Sequence, residues 1–362
     1  MGKKDSNIKG IGIMLVLILM LMVGLIYINN VNSISGLSSK NIMSFKVIGS
    51  TEAKDKTSLV CRVDELLAEA SGAVVRAQNI KGEDVWNKTL TGKVVDMKSE
   101  ASNLYIMDSS KKLYCISKSG NLLWNKQLEE ELRGFYVDKS GDVIIDYAHT
   151  VGAKIQILSS KGIDEGSIVL EDAEVVAFSS GKDENSLSVI DISSNIIKAK
   201  ILTLNLKGDL VWSENFDNQI IPMLGYTKDN SLIAIGEKAI YKYNDKSKKQ
   251  SKQELNKTIQ KASIGEGGIA TIVRSKTGFE VISYDSNLRE LGVLELPRAP
   301  KGIILEKNNY ILYYSEKLLL ADLKGIIKAE YKSIPEIKNA YFGAEGSIIM
   351  VSDRLIQKLG YE

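Results

Sequence analysis

Gly82-Glu83-Asp84-Val85-Trp86-Asn87-Lys88-Thr89-Leu90, Gly120-Asn121-Leu122-Leu123-Trp124-Asn125-Lys126-Gln127-Leu128 and Gly208-Asp209-Leu210-Val211-Trp212-Ser213-Glu214-Asn215-Phe216 are three copies of one pattern. A glycine opens each, a tryptophan follows four places on, and a large apolar residue stands eight places on. The glycine suits a tight hairpin turn. The alternation after it reads as a half-buried strand. Weaker copies run from Gly162 to Leu170 and from Ser247 to Leu255, with looser ones from Asn287 to Leu296 and from Gly325 to Ile334. Lys40 leads to Ile48, and the sequence ends just after Gly360. The nine tips, at 40, 82, 120, 162, 208, 247, 287, 325 and 360, are separated by forty residues on average.

Other features keep the same beat. A short apolar strand precedes each tip, as in Lys112-Leu113-Tyr114-Cys115-Ile116. A small polar residue often stands three before it: Asn79, Ser117, Ser159, Asn205, Asn244, Asp322. A second turn mark falls midway, at Asn103, Gly141, Asn185, Asn230, Gly268, Asn309 and Gly346. Four short strands and two hairpin turns in about forty residues are the mark of a propeller blade. Such a sheet cannot bury both faces alone, and stacking around an axis does it. Closing the ring leaves no bare end sheet to aggregate. The fold expected is therefore an all-β propeller over residues 41–362, of eight four-stranded blades. A strand at residues 44–48 would complete the last blade, whose third strand is residues 355–358. Seven blades are the alternative, because residues 49–72 lack a midway turn and residues 64–70 read as a helical turn.

Ala77-Gln78-Asn79-Ile80-Lys81-Gly82, followed by Trp86, resembles the tryptophan-docking (PQQ-like) repeat of quinoprotein-type propellers, roughly Ala-x-Asp-x-x-Thr-Gly-x-x-x-Trp. The whole chain resembles single-pass, extracytoplasmic propeller proteins of Gram-positive anaerobes. The resemblance implies an eight-bladed wheel with WD-like blades. It implies a packing role for Gly82, Trp86, Gly120, Trp124, Gly162, Gly208, Trp212, Gly325 and Gly360. It carries no cofactor: the chain lacks the vicinal cysteine pair and the ligand cluster of the enzymatic members. A repeat of this kind speaks for fold and hardly for function.

The wheel is preceded by a different composition. No charged side chain stands between Gly10 and Ser39, and residues 11–28 are almost purely apolar. Such a run is long enough to cross a hydrocarbon core as a helix, with Ile11, Leu15, Leu19 and Val23 along it and Tyr27 at its interfacial end. Lys3, Lys4 and Lys9 precede it, offset by Asp5. The positive-inside rule then puts residues 1–10 in the cytoplasm, residues 29–40 as an outer linker and residues 41–362 outside. A cleaved signal peptide is the rival reading, but its apolar core should be shorter, and Ser33-Ile34-Ser35 makes a poor cleavage site. The start Met1-Gly2-Lys3-Lys4-Asp5-Ser6 also fits an acylation pattern that a spanning helix makes redundant.

Charge excludes more than it suggests. Of 362 residues, 47 are Lys or Arg and 45 Asp or Glu. Beyond residue 28 the two signs balance, so a nucleic-acid binder, which should be basic, is excluded. The lysines of residues 244–257 read as a solvated hairpin. One histidine and two cysteines cannot build a histidine metal site, a zinc finger or a disulfide scaffold. His149 has no triad motif around it. Cys61 and Cys115 sit in apolar strands, as buried thiols or as a pair joining the first two blades. The acidic turns at residues 138–142 and 182–185 lack the pattern of a calcium loop.

These readings converge on a non-enzymatic binding or scaffold module held at the plasma membrane. Its partners would be a cell-envelope protein or wall polymer near the bilayer. A resemblance to envelope-assembly scaffolds with tryptophan-docking blades points the same way. The alternative is a propeller enzyme, a quinone-cofactor oxidoreductase or a hydrolase, with an axial site.

Overall fold

Each glycine tip turns through the left-handed region that a side chain disfavours. In the computed structural model φ is +83° at Gly82, +85° at Gly120, +77° at Gly162, +90° at Gly208 and +81° at Gly325. The polar residue three places earlier holds the turn. Asn79 Oδ1 accepts the N–H groups of Lys81 and Glu83 at 2.9 and 3.1 Å. Asn205 does the same for Lys207 and Asp209, and Asp322 for Lys324 and Ile326. These side chains imitate backbone acceptors, so the turn forms locally.

The structure describes residues 42–53, 59–79, 81–193, 195–243, 249–343 and 346–361, with the side chains of residues 249, 250 and 361 excepted. The expected membrane helix (11–28), its flanks (1–10 and 29–40) and the tips at 40 and 247 lie outside these residues. Among the described residues no helix is long and apolar enough to cross a membrane.

Thirty-two strands are described, in six four-stranded sheets and one eight-stranded sheet. Each four-stranded sheet is an antiparallel meander. The blades take residues 59–89, 94–127, 132–171, 173–217, 223–254, 259–296 and 302–332, numbered 1 to 7 in that order. Blade 8 takes residues 337–361 together with the strand Met43–Glu52. The innermost strand of one blade packs on that of the next from blade 1 to 3 and again from blade 4 to 8. Blade 8 returns to blade 1: Arg62 Nη1 donates to Phe342 O at 2.8 Å, and Tyr341 Oη donates to Val60 O at 3.4 Å. The cores are the seams between blades. One joins Val75 and Leu90 of blade 1 to Leu104 and Ile116 of blade 2; another joins Leu113 and Cys115 of blade 2 to Phe135 and Ile145 of blade 3.

The strand Met43–Glu52 works as a strap. It starts in parallel beside blade 7, with Met43 opposite Ala329. It then runs antiparallel along blade 8, from Phe45 opposite Tyr361 to Glu52 opposite Leu355. Its end reaches blade 1, where Thr51 touches the Gly82 tip and Arg76 Nη2 donates to Glu52 O at 2.9 Å. Arg76 is also bonded to the buried carboxylate of Glu69. Three blades are therefore tied by one strand, and Phe45 is buried in the seam of blades 7 and 8.

Several expectations need correction. Eight blades stand and seven do not. The midway turn missing from residues 49–72 is Asp64-Glu65, with φ +50° at Asp64, and Leu66–Ser71 is a strand rather than a helical turn. Pairing with Val74–Gln78 overrides the local helical look. Gly360 is no tip: it lies within Leu355–Tyr361 opposite Lys46, because the strap closes that blade. A register shift between Val47 and Gly49 leaves Ile48 exposed and makes Phe45 the buried residue. The tip near 287 is Leu288, with φ +63°, which puts Leu296 eight places on like the strong copies. Ile334 is fully exposed and Ser333, eight after Gly325, is the buried residue. Asn185 lies inside the strand Glu184–Asp191, just after its turn.

Candidate docking cleft between blades 3 and 4

The tryptophans set the spacing between blades. Trp86 lies on the Gly120 tip of blade 2, so close that a Cβ there would fall 2.7 Å from the ring. Trp124 lies on the Gly162 tip of blade 3 in the same way, at 2.8 Å. Each indole N–H donates to a carbonyl of that tip, Trp86 to Lys118 O and Trp124 to Ser160 O, both at 2.8 Å. Trp212 is buried and packs on Tyr243, ring centroids 5.2 Å apart; its N–H has no acceptor among the described residues. Glycine is needed at the tip because the ring occupies the place of a side chain.

Blade 3 has no such wedge. Its residue in the tryptophan register is Gly166, opposite Ile157 as Trp86 is opposite Ala77. There the Lys207 carbonyl of blade 4 comes so near that a Cβ on Gly166 would meet it at 3.2 Å. The innermost strand of blade 4 (Ala173–Ser180) packs chiefly on the third strand of blade 3 (Gly152–Leu158), not on the innermost one. Stacked rings of Tyr136 and Phe178, 4.9 Å between centroids, bridge the inner gap. Arg133 pairs across the seam with Glu174 at 3.3 Å. Beside it, Asp146 is buried with Oδ1 unbonded among the described residues. Burial lifts its carboxyl to about 6, against the opposing pull of Arg133.

Pinched at the tip end, this seam opens at the other into a cleft of about 760 Å³. The floor is apolar (Leu170, Val189, Leu202), and the rim carries Glu171, Asp172, Asp191, Asp217, Lys198 and Lys200. Around it five aliphatic side chains stand in solvent: Val151, Ile192, Ile196, Ile197 and Ile220, each between 37% and 55% exposed. Main-chain bonds string their turns together. Asp172 N–H donates to Val151 O, Ile192 N–H to Asp172 O, and Asn218 N–H to Ile197 O. The arc therefore runs along one side of blades 3 and 4 and onto the connection to blade 5. Exposed aliphatics are ordinary singly; these five stand in a linked arc beside an apolar cleft.

The tip side of the axis offers shallower ground. A hollow of about 400 Å³ is lined by Arg62, Glu100, Glu306 and Tyr341. Arg62 serves the fold there, since its Nε donates to Asp64 O and its Nη1 to Phe342 O, both at 2.8 Å. Burial raises the Glu100 carboxyl. The acidic turn at residues 138–142 owes its composition to its own geometry: Asp138 Oδ1 accepts Ser140 and Asp142 N–H at 2.9 and 2.8 Å. His149 closes a hairpin opposite Gly152. Both cysteines are free; burial pushes the Cys115 thiol up to about 11 and raises that of Cys61, so neither is a ready nucleophile.

The tryptophan repeat was visible in the sequence; the cleft was not. The repeat does show a gap there, glycine at 166 where 86, 124 and 212 hold tryptophan, but Gly292 of blade 6 stands in the same register beside a packed seam, so the gap alone does not announce a cleft. The aliphatic turn Ile192–Ile197 was a sign, since hairpin turns are usually polar.

The fold and seams define a β-propeller. The chain belongs to a family of unknown function (DUF5711), whose profile matches residues 38–360. No protein of curated description matches it. Among solved structures it is similar to BamB from Moraxella catarrhalis, with a TM-score of 0.61 at 13% identity over 87% of this chain and 99% of that one. It is similar to Saccharomyces cerevisiae Sqt1, with a TM-score of 0.64 at 11% identity over 88% and 100%. The Dos1 propeller gives 0.62 at 13% identity over 87% and 95%. Likeness at such identity establishes the propeller fold and no shared task.

Proposed function

We propose that this protein is a non-enzymatic docking module, a propeller held at the outer face of the plasma membrane by residues 11–28, which binds a cell-envelope partner. The observation that carries the reading is the cleft between blades 3 and 4, with its arc of exposed aliphatic turns. A rigid wheel offers such a surface without folding cost on binding.

The test is site-specific photocrosslinking in intact cells, with the reactive group at Ile196 and, as control, at Lys81 on the tip side of blade 1. A discrete partner captured from Ile196 and not from Lys81 is the expected result. Identical adducts from both positions, or none from Ile196, would sink the docking reading. Placement outside the membrane is checked separately: Ser193→Cys should react with an impermeant maleimide in intact cells, and protection until lysis would reverse the topology.

A further inference from the structure

We infer that the cleft between blades 3 and 4 receives a basic, aliphatic stretch of polypeptide; this rests on the docking reading and names its class of partner. The floor is apolar and the nearby turns present isoleucine and valine, so the occupant must bring apolar side chains. The aliphatic arc passes along two blades and onto the link to the third, which suits an extended segment better than a small molecule.

Charge selects among such occupants. Of the charged side chains that line the cleft, four are acidic (Glu171, Asp172, Asp191, Asp217) and two basic (Lys198, Lys200). At the cleft itself Glu171, Asp172 and Asp217 are exposed, with Asp191 half-buried beside them. A surface of this sign repels anionic wall polymers and anionic lipid, and draws a lysine- or arginine-bearing segment. Lys198 and Lys200 on the same rim give one edge of opposite sign, a means of fixing direction.

The test uses the full chain in nanodiscs of neutral lipid and two fluorescent peptides, one repeating Lys-Val-Ser and one repeating Glu-Val-Ser, read by anisotropy against empty nanodiscs. The lysine peptide should bind at least about tenfold tighter than the glutamate peptide, and weaken as salt rises past the Debye-screening range. Asp172→Asn with Asp217→Asn, and separately Ile196→Ser with Ile197→Ser, should each weaken it by about fivefold or more. These positions are exposed, so an unchanged melting temperature shows that the fold is intact. Equal binding of both peptides, or no effect of either variant pair, overturns the inference. So does self-association in sedimentation that the variants abolish, which would make a second copy the occupant. Binding to phosphatidylglycerol vesicles, lost in the variants, would likewise overturn it in favour of lipid. If Ile196 still captures a discrete partner while the lysine peptide fails, only the stated chemistry falls; if Ile196 captures nothing, the docking reading falls with it.

Discussion

Two kinds of seam divide this wheel. Between blades 1 and 2, and between 2 and 3, an indole lies on the next tip glycine and donates to its backbone. Between blades 3 and 4 a glycine takes the same register position, the tips close on each other, and the far end opens. A glycine in that register does not open a seam by itself: Gly292 of blade 6 lies in the same register against the Lys324 backbone, and there the inner strands still pack. What sets the seam of blades 3 and 4 apart is that glycine together with an inner strand that packs on the third strand of its neighbour.

The largest test of this comparison removes a third kind of closure, the strap. Deleting residues 43–52 strips the outer strand from blade 8 and exposes the edge that it covers. Soluble yield and cooperative thermal unfolding should both be lost, whereas a wheel still melting as before would show that seams alone suffice. Next comes the wedge. Trp124→Ala should cost about 3 kcal/mol in urea unfolding, and Gly162→Ala about 2 kcal/mol, since a Cβ would strike the ring at positive φ. A cost below about 0.5 kcal/mol for both would deny the indole its spacing role.

The unwedged seam yields a pH test. A carboxyl titrating near 4 in the unfolded chain and lifted to about 6 at Asp146 keeps its proton longer in the native state. Between these values the native state binds more protons, so stability is full below pH 4 and declines as pH rises through 6. Asp146→Asn should flatten that decline and gain up to about 2 kcal/mol at pH 7. A denaturation series from pH 4 to 8 that is identical in both proteins would contradict it. Smaller still, Gly166→Ala meets only a carbonyl at 3.2 Å and should cost about 1 kcal/mol, less than Gly162→Ala; an equal cost in melting experiments would erase the distinction between the seams. Smallest, Ile196→Ser with Ile197→Ser should shift unfolding by no more than about 0.5 kcal/mol. A larger loss would mean these residues serve the fold rather than a partner.

Much of the wheel was legible because its cause is local. Gly82, Gly120 and Gly208 turn where their own φ demands, and Asn79 and Asn205 cap those turns from three places away. The errors were places where pairing decided the outcome. Residues 64–70 look helical alone and become a hairpin beside Val74–Gln78. Gly360 resembles a tip and is a strand residue because Met43–Glu52 arrives from the other end of the wheel. The candidate site was less legible. Its floor gathers Leu170, Val189 and Leu202, whose spacing follows no motif and only the blade's own repeat.

The sequence alone determined the period, the turns, the strands and the apolar alternation, since each depends on a residue and its near neighbours. The tertiary structure decided how the strap reaches three blades, which seam is wedged and which is open, and where the exposed isoleucines gather. Those depend on contacts between segments far apart in the chain, which no residue and its near neighbours can specify.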